Sequence, residues 1–176
     1  MMTNDILEAM KQRRSIRAYK PEQIKDGELD AVLEAGTFAA SGMNMQPVRL
    51  VAIQDEPTRA LLSRLNAQVL GADTDPFYGA PTFVVVFADT ARRTYVEDGA
   101  LAIGNMMLAA YSIGLGSCWI HRAREVFSSP EGKELMKKWG IPENFAGIGH
   151  CALGYSAEGL PAVKPRKPGL IIKPGK

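Results

Sequence analysis

The residues able to do chemistry are few and unevenly placed. Arg13, Arg14, Ser15 and Arg17 crowd one end of the chain, and Lys164, Arg166 and Lys167 crowd the other. Such clusters are either solvated surface or two halves of an anion site, and the sequence leaves both open. The histidines are His121 and His150, and neither has a His or Cys partner at ligand spacing, so no metal site is expected. A serine hydrolase fits poorly, because no Gly-x-Ser-x-Gly elbow occurs and Ser117 sits in an apolar strand-like stretch. Gly114-Leu115-Gly116 ends a helix and starts a strand, the reverse of the order that holds a dinucleotide, and Gly147-Ile148-Gly149 lies inside a strand. His121, just after a strand, reads as an ordinary polar rim residue. What remains is anion binding without acid–base machinery, which points to a cofactor that brings its own chemistry.

The element that organises these groups runs from Thr94 to Ile120. No charge occurs between Gly99 and Ile120. The run approaches the roughly 20 apolar residues of a membrane span, but it reads better as a helix followed by a strand. Thr94 and Glu97 fit a capping box at the start. Leu101, Leu108 and Ile113, with the small residues Ala102, Gly104, Ala109 and Ala110, surround the helix, so burial on all sides is expected. Gly114 suits the left-handed C′ position, and Leu115 to Ile120 reads as a short buried strand. The rest of the chain should pack around this helix or pair through it with a second copy.

Around that centre the pattern mixes helices and strands. Thr3 or Asn4 caps a first helix with Ile6, Leu7 and Met10 on one face. Charges in Lys11–Tyr19 sit too close together for a buried strand. An Asp26-capped helix carries Leu29, Val32, Leu33 and Phe38, then runs into a loop of small and amide residues, Ala39–Pro47. Strands are expected at 48–53, 83–87, 115–120 and 147–155, with helices after Pro57 and Ser129-Pro130. Gly71 to Pro81 is a loop. Four prolines, Pro161, Pro165, Pro168 and Pro174, rule out a helix at 156–176. This extended arm carries the apolar hook Leu170-Ile171-Ile172, which reads best as a strand added to another subunit.

Composition narrows the class. The 176 residues suit one domain, 1–176, with a real core. A net charge of +2 is too small to imply nucleic acid, and no interleaved exposed aromatics accompany Arg13–Arg17. Cys118 and Cys151 lie in apolar segments without CxxC spacing, which suits reduced thiols in the cytoplasm. Met1–Lys11 has the pattern of an amphipathic helix rather than the apolar core of a signal peptide.

Several motifs taken in order resemble the flavin-dependent nitroreductase family. They are Arg13-Arg14-Ser15-Ile16-Arg17, Ser41-Gly42-Met43-Asn44-Met45-Gln46-Pro47, the helix Gly99 to Tyr111, Gly114–Ile120, and Gly154-Tyr155 followed by Lys164-Pro165-Arg166. The resemblance implies an α+β fold with a central mixed or antiparallel sheet flanked by helices, in a tightly interlocked homodimer with FMN at each subunit interface. It implies Arg13, Ser15, Lys164 and Arg166 at the flavin phosphate, where guanidinium forks match a dianion. Arg14 is left between the ribityl chain and a surface acid. Arg17 matches a position near the pyrimidine edge, where a fixed cation stabilises the reduced flavin. Asn44 and Gln46 suit the alternating donors and acceptors of that edge, with Ser41 and Met43 lining the same loop. The alternative for this loop is one that caps itself. Gly116 and Ser117 would bring backbone N–H near flavin N5, and Trp119 reads as core. The implied activity moves electrons from NADH or NADPH to a quinone, nitroaromatic or similar small acceptor in alternating half-reactions. Alternatives are a flavin carrier or sensor, or a relative acting on flavin itself or in reductive dehalogenation. Residues 66–79 should border the pocket, and the chain is short for the family, which suggests an open pocket.

Overall fold

A computed structural model describes residues 2–175. Its clearest strand sets the architecture. Phe83, Val85 and Phe87 face one side and Val84, Val86 and Ala88 the other, and all six are buried because both sides of the sheet are covered. The chain runs α1 (Asp5–Gln12), α2 (Asp26–Thr37), a 3-10 turn (Gly42–Asn44), β1 (Val48–Ile53), α3 (Glu56–Leu70), β2 (Thr82–Asp89), α4 (Tyr95–Ser112), β3 (Gly116–Ile120), α5 (Ala123–Ser128), α6 (Pro130–Lys138) and β4 (Phe145–Gly154). The sheet has the order β1-β2-β4-β3, and each neighbouring pair is antiparallel. This is an α+β fold, and the sheet resolves as antiparallel. Leu62 and Leu65 of α3, with Val126 and Phe127 of α5, cover one face. On the other, Val32 of α2 and Ala102, Ile103 and Met106 of α4 form the second core layer. Full burial of each such Val, Leu or Phe side chain contributes about 1.5–3 kcal/mol.

The helix ends follow local chemistry, with some corrections to the sequence reading. Asn4 caps α1, its Oδ1 accepting from Leu7 N at 2.9 Å. Lys25, not Asp26, occupies the cap position of α2, and Glu28 Oε2 accepts from Lys25 N at 2.8 Å. Phe38 falls just past that helix and is 78% exposed. At α4 the expected Thr94–Glu97 box is absent; the Thr94 hydroxyl donates to Asp98 instead. The other end obeys expectation. Gly114 has φ +84°. Gly114 N donates to Tyr111 O and Leu115 N to Ala110 O, which is the paired closure of a glycine-terminated helix. Helix α5 was not legible, since it is only 6 residues long.

Burial of α4 is one-sided in the chain. Ala102, Ile103, Met106 and Ala110 are buried, whereas Leu101 is 49% and Ile113 41% exposed, and Gly104 is open as well. The expected all-round burial therefore needs something outside this chain. Trp119 packs against the second core layer, as read from the sequence. From Ala157 onward every described residue of the arm is exposed, including Leu170, Ile171 and Ile172. Among the described residues no helix is long and apolar enough to cross a membrane.

His150 lies at the middle of the sheet, opposite both Val85 and Ile120. It is fully buried, with its ring edge-on to Phe77 at 5.1 Å. Nδ1 lies 3.3 Å from Ile120 O, while Nε2 has no partner. Burial holds its pKa at about 4, below the ordinary 6.5. The unfolded chain therefore takes up a proton at higher pH than the folded one, so this stabilisation is present above pH ~6.5 and is lost as pH falls through 4. We expect urea unfolding to report about 3 kcal/mol less stability at pH 4 than at pH 7 from this group. The variant His150→Leu should lack that slope; an unchanged slope would assign it elsewhere.

Candidate functional site

The Arg13–Arg17 segment leaves α1 and runs along the exposed edge of β3. Ser15 bridges to Ser117 in parallel fashion, and Ile16 N donates to Ser117 O at 3.0 Å. Ile16 drops into the core over Gly116, where a side-chain carbon would lie only 3.0 Å from Ile16 Cγ1. Local alternation then turns Ser15 and Arg17 away from Ile16. They meet Cys118, whose thiol is pushed up by burial while Arg17, Ser15 and Arg13 pull it down. These four residues thus share one neighbourhood. Arg17 also lies over the Tyr78 ring, 5.9 Å from its centroid.

The guanidinium groups here are incompletely used. Arg14 Nη1 donates to Lys11 O and Arg13 O at 2.7 and 2.6 Å. Through Nη1 it thereby closes the last turn of α1. Its Nε and Nη2, and Nη1 of Arg13, are buried atoms without a hydrogen-bond partner among the described residues. Three buried N–H sites in one cationic cluster are costly unless an acceptor meets them. An anion with several oxygens satisfies that demand.

A second cluster is the loop Ser41–Pro47. Met43, Asn44 and Gln46 have φ of +51°, +55° and +49°, with right-handed Met45 between them, and three left-handed residues cost energy without glycine. Ser41 Oγ accepts from Gln46 N at 3.0 Å, and Gln46 Nε2 donates to Asn44 Oδ1 at 3.2 Å. The loop is therefore partly self-capping, as the alternative reading had it. Asn44 Nδ2 and Gln46 Oε1 still engage nothing among the described residues, and both side chains are exposed. One donor and one acceptor thus face outward together.

The two clusters sit at opposite ends of α4. The loop is tied to its first turn, where Asp98 Oδ1 accepts from Gly42 N at 2.9 Å. The arginine segment lies by β3, just after its last turn. Asp98 to Met107, the α4 residue that Ser117 meets beside Ser15, spans roughly 14 Å at 1.5 Å per residue. Clefts of about 800, 210 and 680 Å³ are lined by residues of neither cluster. Gly116 and Ser117 are buried, and Ser117 Oγ points back to Met107 O at 3.5 Å. Lys164 and Arg166 lie on the exposed arm, and none of the described hydrogen bonds or ion pairs joins them to Arg13–Arg17.

Residues 10–76 and 71–155 match the sequence model of the nitroreductase family. The chain belongs to the nitroreductase family. A family relative from Archaeoglobus fulgidus, a putative NADH dehydrogenase/NAD(P)H nitroreductase, is 33% identical over 149 residues, covering 81% of this chain and 80% of that protein. The FMN reductase [NAD(P)H] of Bacillus subtilis is 27% identical over 187 residues, covering 94% of this chain and 71% of that protein. A crystal structure of a Bacteroides fragilis nitroreductase with bound FMN superposes with a TM-score of 0.89 at 36% identity, over 97% of this chain and 99% of that one.

Within this nitroreductase fold, structure adds residues that sequence reasoning passed over. Arg122 has φ +73° directly after β3. Its Nε donates to Asn66 Oδ1 at 2.9 Å, and Asn66 Nδ2 donates to His121 O at 2.8 Å. Asn66 is fully buried, so it fixes this strained turn from below. Tyr78, at φ +58°, is held in a loop whose amides at Phe77 and Gly79 both donate to Asp75. Asp98 is 4% exposed and has no cationic partner among the described residues. Two acids, Glu97 and Asp98, open an otherwise uncharged helix, and that pair was the available signal for it.

Proposed function

We propose that this protein is an FMN-dependent oxidoreductase that passes electrons from NADH or NADPH to a small acceptor, such as a quinone or nitroaromatic. The observation that carries the reading is the set of buried, unpartnered N–H atoms on Arg13 and Arg14, in a family whose crystallised relative holds FMN. Bound FMN supplies the hydride-accepting and electron-donating chemistry. Arg13 and Ser15 hold its phosphate, with Lys164 and Arg166 brought by the arm. Arg14 closes α1 and presents its remaining N–H groups to the same oxygens. Arg17, steadied over Tyr78, keeps a positive charge at the pyrimidine edge, where negative charge gathers on reduction. Asn44 and Gln46 offer that edge a donor and an acceptor, and Ser41 and Met43 shape the loop. Gly116 and Ser117 contribute through the backbone that aligns Ser15. No side chain is assigned as an obligatory acid or base, and donor and acceptor occupy the same face in turn.

The separation of the clusters supports a homodimer. Leu101, Gly104, Leu108 and Tyr111 form one stripe on α4, with Gly104 at mid-helix. A two-fold axis there lays two α4 helices together and brings one copy's amide loop beside the other's arginines. Sheet edge β1 has unpaired backbone on its outer side, and the Leu170-Ile171-Ile172 hook of the second copy suits it as an added strand. A cytoplasmic setting, with nicotinamide donors at hand and both thiols reduced, fits this reading. Purified protein is expected to be yellow, and its flavin absorbance should bleach with NADH or NADPH. Bleaching by dithionite alone would favour a carrier or sensor. Absence of flavin, with no uptake on titration, would reject the proposal.

A further inference from the structure

We propose that Asp98 is the positioning residue of the flavin site, acting through Gly42 and Thr94; this rests on the FMN reading above. A loop with three left-handed non-glycine residues does not hold its shape on intrinsic preference. Something must fix where it starts. Gly42 N donates to Asp98 Oδ1 at 2.9 Å, and the Thr94 hydroxyl donates to Oδ2, also at 2.9 Å. Both carboxylate oxygens are thus engaged, in a group only 4% exposed at the N-terminal turn of α4. That helix end stabilises a negative charge, and a charged acceptor makes the stronger hydrogen bond.

Space at Gly42 is as restrictive as the hydrogen bonds. A side-chain carbon there would collide with Thr94 Oγ1. The peptide of Gly42 can reach Asp98 only because no such carbon intervenes. One buried carboxylate therefore sets both the height and the direction of Ser41–Gln46 relative to α4. Since α4 carries the proposed subunit contact, Asp98 also ties the amide pair to the surface that delivers it to the second copy's arginines.

The variant Asp98→Ala is expected to weaken FMN binding about 10–100-fold, the effect of losing hydrogen bonds to a charged acceptor, and to shift the visible flavin band at saturation. Asp98→Asn should recover most of both, because its amide oxygen still accepts from Gly42 N and the Thr94 hydroxyl can rotate to accept from its NH2. Gly42→Ala should reproduce the Asp98→Ala phenotype, and adding Thr94→Ala should partly restore binding by removing the clash. Such sign reversal marks a steric coupling. A merely structural role would lower the melting temperature and leave affinity and spectrum of the folded fraction unmoved. Unchanged affinity and spectrum in Asp98→Ala would overturn the proposal. If that variant does not fold, Gly42→Ala with and without Thr94→Ala decides, and additivity overturns it. Wild-type protein that binds no FMN would instead reject the underlying reading.

Discussion

Replacing Arg13 by alanine is expected to weaken FMN binding about a hundredfold, while the flavin-free protein melts no lower than wild type. Its Nη1 is a buried N–H without an acceptor. A group in that position costs free energy in the empty protein and returns it when an anionic oxygen arrives. Charge-assisted hydrogen bonds of this kind contribute about 1.5–3 kcal/mol each. Truncation removes the gain and the cost together, so affinity and apo stability move in opposite directions. Titration of FMN by fluorescence and thermal unfolding without FMN would check both. A residue serving only the fold would lose stability first, and that outcome would remove Arg13 from the phosphate site. Added salt should weaken wild-type binding more than the variant's, because one fewer cation faces the phosphate.

Placing arginine at Gly104 is expected to split the proposed homodimer by about a thousandfold in dissociation constant and to release flavin with it. Apart from the backbone of its own helix turn, no described atom of the same chain lies within 4 Å of a side-chain carbon built there. The substitution therefore leaves the single chain's packing intact. It also exchanges glycine for a good helix former, worth about 0.8–1 kcal/mol in favour of the helix. Any loss must come from a second copy. Forcing an unpaired charge between two apolar helices costs about 3–5 kcal/mol, which sets the expected factor. Light scattering at micromolar concentration, with the flavin absorbance of each species, would test this. A Gly104→Arg protein that remains dimeric and yellow would place the subunit contact on another face.

Much of the architecture was readable because it follows from short-range rules. The alternation-free run Phe83–Phe87 announced a strand covered on both sides, and Gly114 announced the end of the central helix. Prolines in the arm excluded a helix, and the described residues after 156 form none. Errors fell where neighbours decide. Thr94 turned its hydroxyl to Asp98 rather than to the backbone of its own helix. Phe38 slipped past the end of α2 into solvent. Helix α5 was too short for its periodicity to register.

The candidate site divides along the same line. Motifs in order, through their resemblance to the family, singled out Arg13, Ser15, Arg17, Asn44 and Gln46 as candidates, and forks for oxyanions and amides for a mixed edge are properties of the side chains themselves. Only tertiary structure revealed that Arg14 closes α1, that Asn66 fixes the turn at Arg122, and that Asp98 holds Gly42. The last two depend on partners distant along the chain, 56 residues away both for Arg122 and Asn66 and for Gly42 and Asp98, whereas Arg14 turns back onto carbonyls one and three residues away. Separation of the two clusters along α4 is likewise a matter of three dimensions. A sequence specifies which groups can meet an anion; it is the packing of a helix between them that decides whether one chain suffices to bring them together.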